Sequence, residues 1–135
     1  MRRAKTWRPA TAAAAMLLAT AGTVAVTASP AAAATTISGR ITCGANSQGR
    51  VVGMWVSTNA GGNGWASWSA TSDPMIANYS KAIPSNATSV SVAVGCGGSP
   101  SSWARTYYGS TRVSSGGGAA YKDWICYTYG ADVCV

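Results

Sequence analysis

Residues 89–104 read Ser89-Val-Ser-Val-Ala-Val-Gly-Cys-Gly-Gly-Ser-Pro-Ser-Ser-Trp-Ala104. Val90, Val92, Val94 and Cys96 recur at a period of two, and Ser89, Ser91 and Ala93 fill the alternate positions, which is the pattern of a half-buried strand. Gly97, Gly98, Ser99 and Pro100 then break strand geometry, and Trp103 returns the chain to apolar surface. An inward cysteine, a turn and a tryptophan in this order mark the structural centre of a β domain.

The rest of the chain repeats this grammar. Ile37, Ile41 and Cys43 alternate with Ser38, Arg40 and Thr42, and 44–49 is a turn. In 50–58, Val52, Met54 and Val56 share one face, while Val51, Trp55 and Ser57 share the other, so Trp55 stands among polar neighbours. Asn59-Ala-Gly-Gly-Asn-Gly64 is a loop. Trp65 and Trp68 follow, three positions apart, and an extended backbone sends such a pair to opposite faces, one of them into the core. Asp73-Pro74 is a turn, 76–83 is a strand, and 84–87 leads back to the opening stretch. Beyond it, 105–113 and 121–129 are strands flanking the Ser/Gly loop 114–118. About seven short strands separated by turns predict a single all-β domain, a small disulfide-bonded β-sandwich of prealbumin or immunoglobulin type.

Composition supports this reading. After Ala34 the chain has no Leu, Phe, His or Glu, and its apolar residues are mainly Val, Ile, Trp and Tyr, which suit a pleated surface. Before it, Arg2, Arg3, Lys5 and Arg8 precede an apolar, Ala-rich run from Ala10 to Val26 and the small residues Ala31–Ala34. That arrangement is a secretory signal peptide over 1–34, with 35–135 as the mature extracellular domain. The run is short for a bilayer span and no stop-transfer segment follows. Arg2-Arg3 lacks the apolar continuation of a twin-arginine signal, so ordinary secretion is expected.

The formal charge of +7 falls to +3 without the four basic residues of the leader. The remaining cations are scattered, with no two adjacent, so nucleic acid is not an expected partner.

Four cysteines in a secreted domain of this size imply two disulfides. Without His, and without a Cys-x-x-Cys pair, they do not read as a metal site, and no cofactor is expected. Three connectivities are possible. Cys43 and Cys96 both sit on the apolar parity of their strands, which favours Cys43–Cys96 across the core and leaves Cys126–Cys134 to close a C-terminal loop.

Ile37-Ser-Gly-Arg-Ile-Thr-Cys43, Gly49-Arg-Val-Val-Gly-Met-Trp-Val56, Tyr79-Ser-Lys-Ala-Ile-Pro84 and Ser89-Val-Ser-Val-Ala-Val94 together resemble the prealbumin-like sandwiches of the carboxypeptidase-regulatory and collagen-adhesin B type. The resemblance covers residues 37–96 and implies a fold, not an activity; the adhesin isopeptide pattern does not carry over because Glu is absent. Gly64-Trp-Ala66 and residues 95–104 are similar to small uncharacterised secreted proteins of actinobacteria.

An enzyme needs groups that move protons or attack, and with neither His nor Glu in the mature chain the candidates are Asp73, Asp123, Asp132, Lys81, Lys122 and unpaired serines. Asp73 reads as a turn-former before Pro74 and Asp132 lies in a cysteine-bounded loop, so a non-enzymatic protein is expected over an Asp-based hydrolase. Trp55, Trp65, Trp68, Trp103 and Tyr107 or Tyr108 are candidates for an aromatic, sugar-stacking surface, with Tyr107 preferred of the two tyrosines. Their competing role is to fill a core that lacks Leu and Phe. The expected function is therefore a monomeric carbohydrate- or cell-wall-binding module. The alternatives are an inhibitor of a secreted hydrolase, presenting the braced loop from Gly97 to Trp103, and a structural surface protein.

Overall fold

The computed structural model describes residues 34–44 and 49–135. The leader expected over 1–34 lies, but for Ala34, outside the described residues. Ten strands form: β1 (Thr35–Cys43), β2 (Val51–Thr58), β3 (Gly64–Trp65), β4 (Ser67–Ala70), β5 (Ile76–Ile83), β6 (Ser89–Ser99), β7 (Ser102–Arg112), β8 (Gly118–Tyr121), β9 (Trp124–Tyr129) and β10 (Ala131–Cys134). The all-β expectation holds among the described residues, but the two-layer sandwich of about seven strands is replaced by one ten-stranded sheet. Its order is β3-β2-β6-β7-β10-β9-β1-β5-β4, with β8 beside β1.

The two ends of that order are consecutive in the chain. Trp65 pairs with Trp55 of β2, the Ala66 amide donates to the Met54 carbonyl, and Ser67 already pairs with Ser80 of β5. One bent segment, 64–70, therefore borders both ends of the sheet and curls it into a nearly closed barrel. The extended backbone expected through Trp65 and Trp68 is in fact handed from β3 to β4 at Ala66. A break at Lys122-Asp123 likewise divides the expected strand 121–129 between β8 and β9.

Alternation decides what the barrel encloses. Val90, Val92, Val94 and Cys96 of β6 are buried with Ile37, Ile41 and Cys43 of β1 and Met54 and Val56 of β2. A register shift between Val51 and Gly53 buries both Val51 and Val52. Cys43–Cys96 crosses the interior from β1 to β6, and Cys126–Cys134 joins the neighbours β9 and β10, as parity suggested. Cys43 and Cys126 are register partners in the parallel β1–β9 pair, so the two bridges lie side by side.

Trp124 fills much of the interior and is fully buried. Its indole Nε1 donates to the Tyr79 hydroxyl at 3.0 Å, and that hydroxyl donates to the Lys122 carbonyl at 2.7 Å. The chain satisfies the indole, the phenol and a carbonyl at the β8–β9 break, each of which is costly to bury unpaired. Burial pushes the Tyr79 pKa up to about 12, against a smaller opposing effect of the Trp124 hydrogen bond.

This raised pKa has a stability consequence. Between pH 10 and about 12 the unfolded state releases the Tyr79 proton before the folded state does, so stability is complete below pH 10 and falls across that window. The loss is on the order of 2 kcal/mol. Urea unfolding of the wild type and Tyr79→Phe should show a gap between the two at neutral pH, from the orphaned Trp124 N–H and Lys122 carbonyl, that narrows as pH rises through the window. A gap independent of pH would contradict the buried, protonated hydroxyl.

Candidate aromatic binding face

Trp55 lies on the outward parity of β2, directly opposite Trp65 of β3, and their ring centroids are 5.0 Å apart at an interplanar angle of 86°. The indole of Trp103 meets Trp65 at 5.7 Å and 78°. Both contacts are edge-to-face, the arrangement favoured by the ring quadrupoles. Trp55 and Trp103 are half-buried, whereas Trp65 is 61% exposed. The Trp55 Nε1 is held by the Ser57 hydroxyl at 3.2 Å.

Trp103 reaches this face by an unexpected route. Strict alternation along β7 would group it with Tyr107, which is inward. Its ring instead lies over Gly53 and Gly95, facing residues of β2 and β6, so closely that a Cβ at Gly95 would fall 2.2 Å from the indole and one at Gly53 2.6 Å from it. Gly97 and Gly98, opposite the start of β7, have φ of 74° and 80°, left-handed values that depart from the regular pleat where the hairpin folds Trp103 over. The segment expected to be a loop from Gly97 to Trp103 is therefore mostly ladder. Ser99 pairs with Ser102, and the turn itself is only Pro100-Ser101.

The five aromatic candidates do not stay together. Trp55, Trp65 and Trp103 meet. Trp68 is half-buried, pairs with Tyr79 across β4–β5 and packs against the core. Tyr107 is corrected outright: it is fully buried opposite Val94, with its hydroxyl 3.3 Å from Thr128 Oγ1.

Its neighbour Tyr108 is 63% exposed, and the sequence reading passed it over in favour of Tyr107. Tyr108 pairs with Ala93, which pairs with Trp55, so Trp65, Trp55, Ala93 and Tyr108 form a transverse row over four strands. At the usual strand spacing this row is about 14 Å long. The signal that finds Tyr108 is the inward parity of Val94 carried across the β6–β7 hairpin.

The surrounding chemistry is simple. β2, β3, β6 and β7 contain no carboxylate, and Ser57, Ser91 and Ser110 supply hydroxyls. The three aspartates of the described chain are engaged elsewhere. Asp73 Oδ1 accepts from the Met75 amide, Asp123 Oδ1 from the Arg40 amide, and Asp132 from Thr128 and Arg105. No group of three or more His, Cys, Asp or Glu residues suited to a metal ion occurs among the described residues.

No protein-family model, no curated protein and no solved structure matches the chain.

The close seat of Trp103 makes a direct prediction. Gly95→Ala should lower unfolding stability by about 1–3 kcal/mol, the usual cost of overpacking, and should alter the near-ultraviolet circular dichroism of the tryptophan cluster. Unchanged stability and an unchanged spectrum would show that the indole does not rest on Gly95.

Proposed function

We propose that this domain is a secreted, non-catalytic binding module that holds extracellular or cell-wall polysaccharide by stacking sugar rings on Trp65. The observation that carries this reading is the exposure of the Trp65 indole while Trp55 and Trp103 fix it edge-to-face. A large exposed aromatic beside two half-buried ones is informative in a way that scattered apolar residues are not. Because its neighbours hold it, little conformational freedom remains to be lost on binding.

Two further features support the reading. The face lacks carboxylates, so stacking and hydroxyl contacts carry recognition, and Tyr108 extends the aromatic row in a line suited to a chain-like ligand. The engagement of all three aspartates favours binding over hydrolysis. Secretion is part of the same proposal. Two disulfides fit an oxidising compartment, and no helix among the described residues is long and apolar enough to cross a membrane.

The test is retention of the purified protein on chitin, cellulose and peptidoglycan. Binding to at least one, lost on Trp65→Ala without a change in unfolding midpoint, is the expected result. Passage through all three, or equal retention by Trp65→Ala, would overturn the assignment.

A further inference from the structure

Away from the aromatic face, the barrel has a seam. On one side of β1, β8 and then β9 run parallel to it in one continuous register, Thr35 opposite Gly118 and Ile41 opposite Trp124. β9 is covered on its other edge by β10, and β10 reaches β7 through a single pair, Val133 with Tyr108. Past Val135, whose amide and carbonyl bond to Ile125, no described strand lies between β8 and the end of β7. Among the described residues, Gly118–Tyr121 pairs only with β1, and the β7 residues Ser110, Thr111 and Arg112 pair only with β6. Two strand edges thus face a common gap, a cavity of about 250 Å³ lined by both.

Unpaired strand edges are templates for main-chain hydrogen bonding. Three side chains add a chemical preference. Thr35, 3% exposed, lines the cavity, and its hydroxyl has no hydrogen-bond partner among the described residues. Arg112 and Lys122 line it too, and neither is in the one ion pair found among the described residues, Arg105–Asp132. Lys122 Nζ lies 5.1 Å from the centre of the Trp124 ring. The nearby carboxylate, Asp123, already accepts a hydrogen bond from the Arg40 amide.

The geometry points to a peptide-binding site in this seam: an extended acidic segment of a partner protein adds as a strand between β7 and β8, in line with β10. Its main chain pairs with the two edges, its outward carboxylates meet Arg112 and Lys122, and an inward residue faces the Thr35 hydroxyl. A strand is the ligand that satisfies two facing rows of backbone groups at once, and charge complementarity selects the acidic one.

The experiment is fluorescence anisotropy with three labelled peptides: alternating valine and glutamate, alternating valine and lysine, and the glutamate peptide N-methylated on alternate amides. The expected result is saturable binding of the glutamate peptide alone, weakened about tenfold in Arg112→Gln and in Lys122→Gln. Failure of the glutamate peptide to bind would overturn the site, as would equal binding of the N-methylated peptide or of the variants. Self-association through the same edges, seen by sedimentation and abolished by mutating Arg112, would also overturn it, in favour of a second copy of the chain as occupant.

Discussion

The Cys43–Cys96 bridge is the constraint on which the rest of the molecule depends. Three strands separate β1 from β6 along the sheet, so the bridge ties opposite walls of the barrel through its interior. It closes a sequence separation of 53 residues, for which the chain-entropy estimate is a stabilisation of about 4 kcal/mol. A small domain whose core is made of valine, isoleucine, alanine and a few aromatics, with neither leucine nor phenylalanine, relies on such a tie. The second bridge fixes β10 against β9 in the adjacent layer, and so fixes the single contact by which β10 reaches β7.

The same wall that receives Cys96 carries the proposed binding face. Inward, β6 presents Val94 and Cys96. Outward, it presents Ala93 and Gly95, one beneath the row from Trp55 to Tyr108 and the other beneath Trp103. Absence of a side chain at Gly53 and Gly95 lets an indole lie directly on the sheet, and that indole then supports Trp65. The stretch 89–104 is thus both core and platform, and changes on one face are expected to be felt on the other.

What the sequence made legible was whatever a period of two controls. Alternation located β1, β2, β5 and β6, separated Trp65 from Trp68, placed Trp55 outward, and paired Cys43 with Cys96. It failed where parity is interrupted or carries no contrast. Tyr107 and Tyr108 are both aromatic, and small or polar residues flank them on either parity, so β7 alone does not say which faces inward. Left-handed Gly97 and Gly98 and the crossing of Trp103 over Gly95 are tertiary events with no local periodic signature. Closure through Ala66 was hidden for a related reason, because a segment that pairs to two different strands reads locally as one strand. The seam between β7 and β8 follows from long-range order alone.

The aromatic face is tested most directly by nuclear magnetic resonance of the indole N–H groups, using a chitin, cellulose or peptidoglycan oligosaccharide as the titrant. The account predicts dose-dependent shifts for Trp65, with smaller ones for Trp55 and Trp103, while Trp124, sealed in the core and bonded to Tyr79, stays unchanged. Indole signals that do not move with any of the three oligosaccharides, or shifts confined to residues outside the Trp55–Trp65–Trp103 cluster, would contradict it.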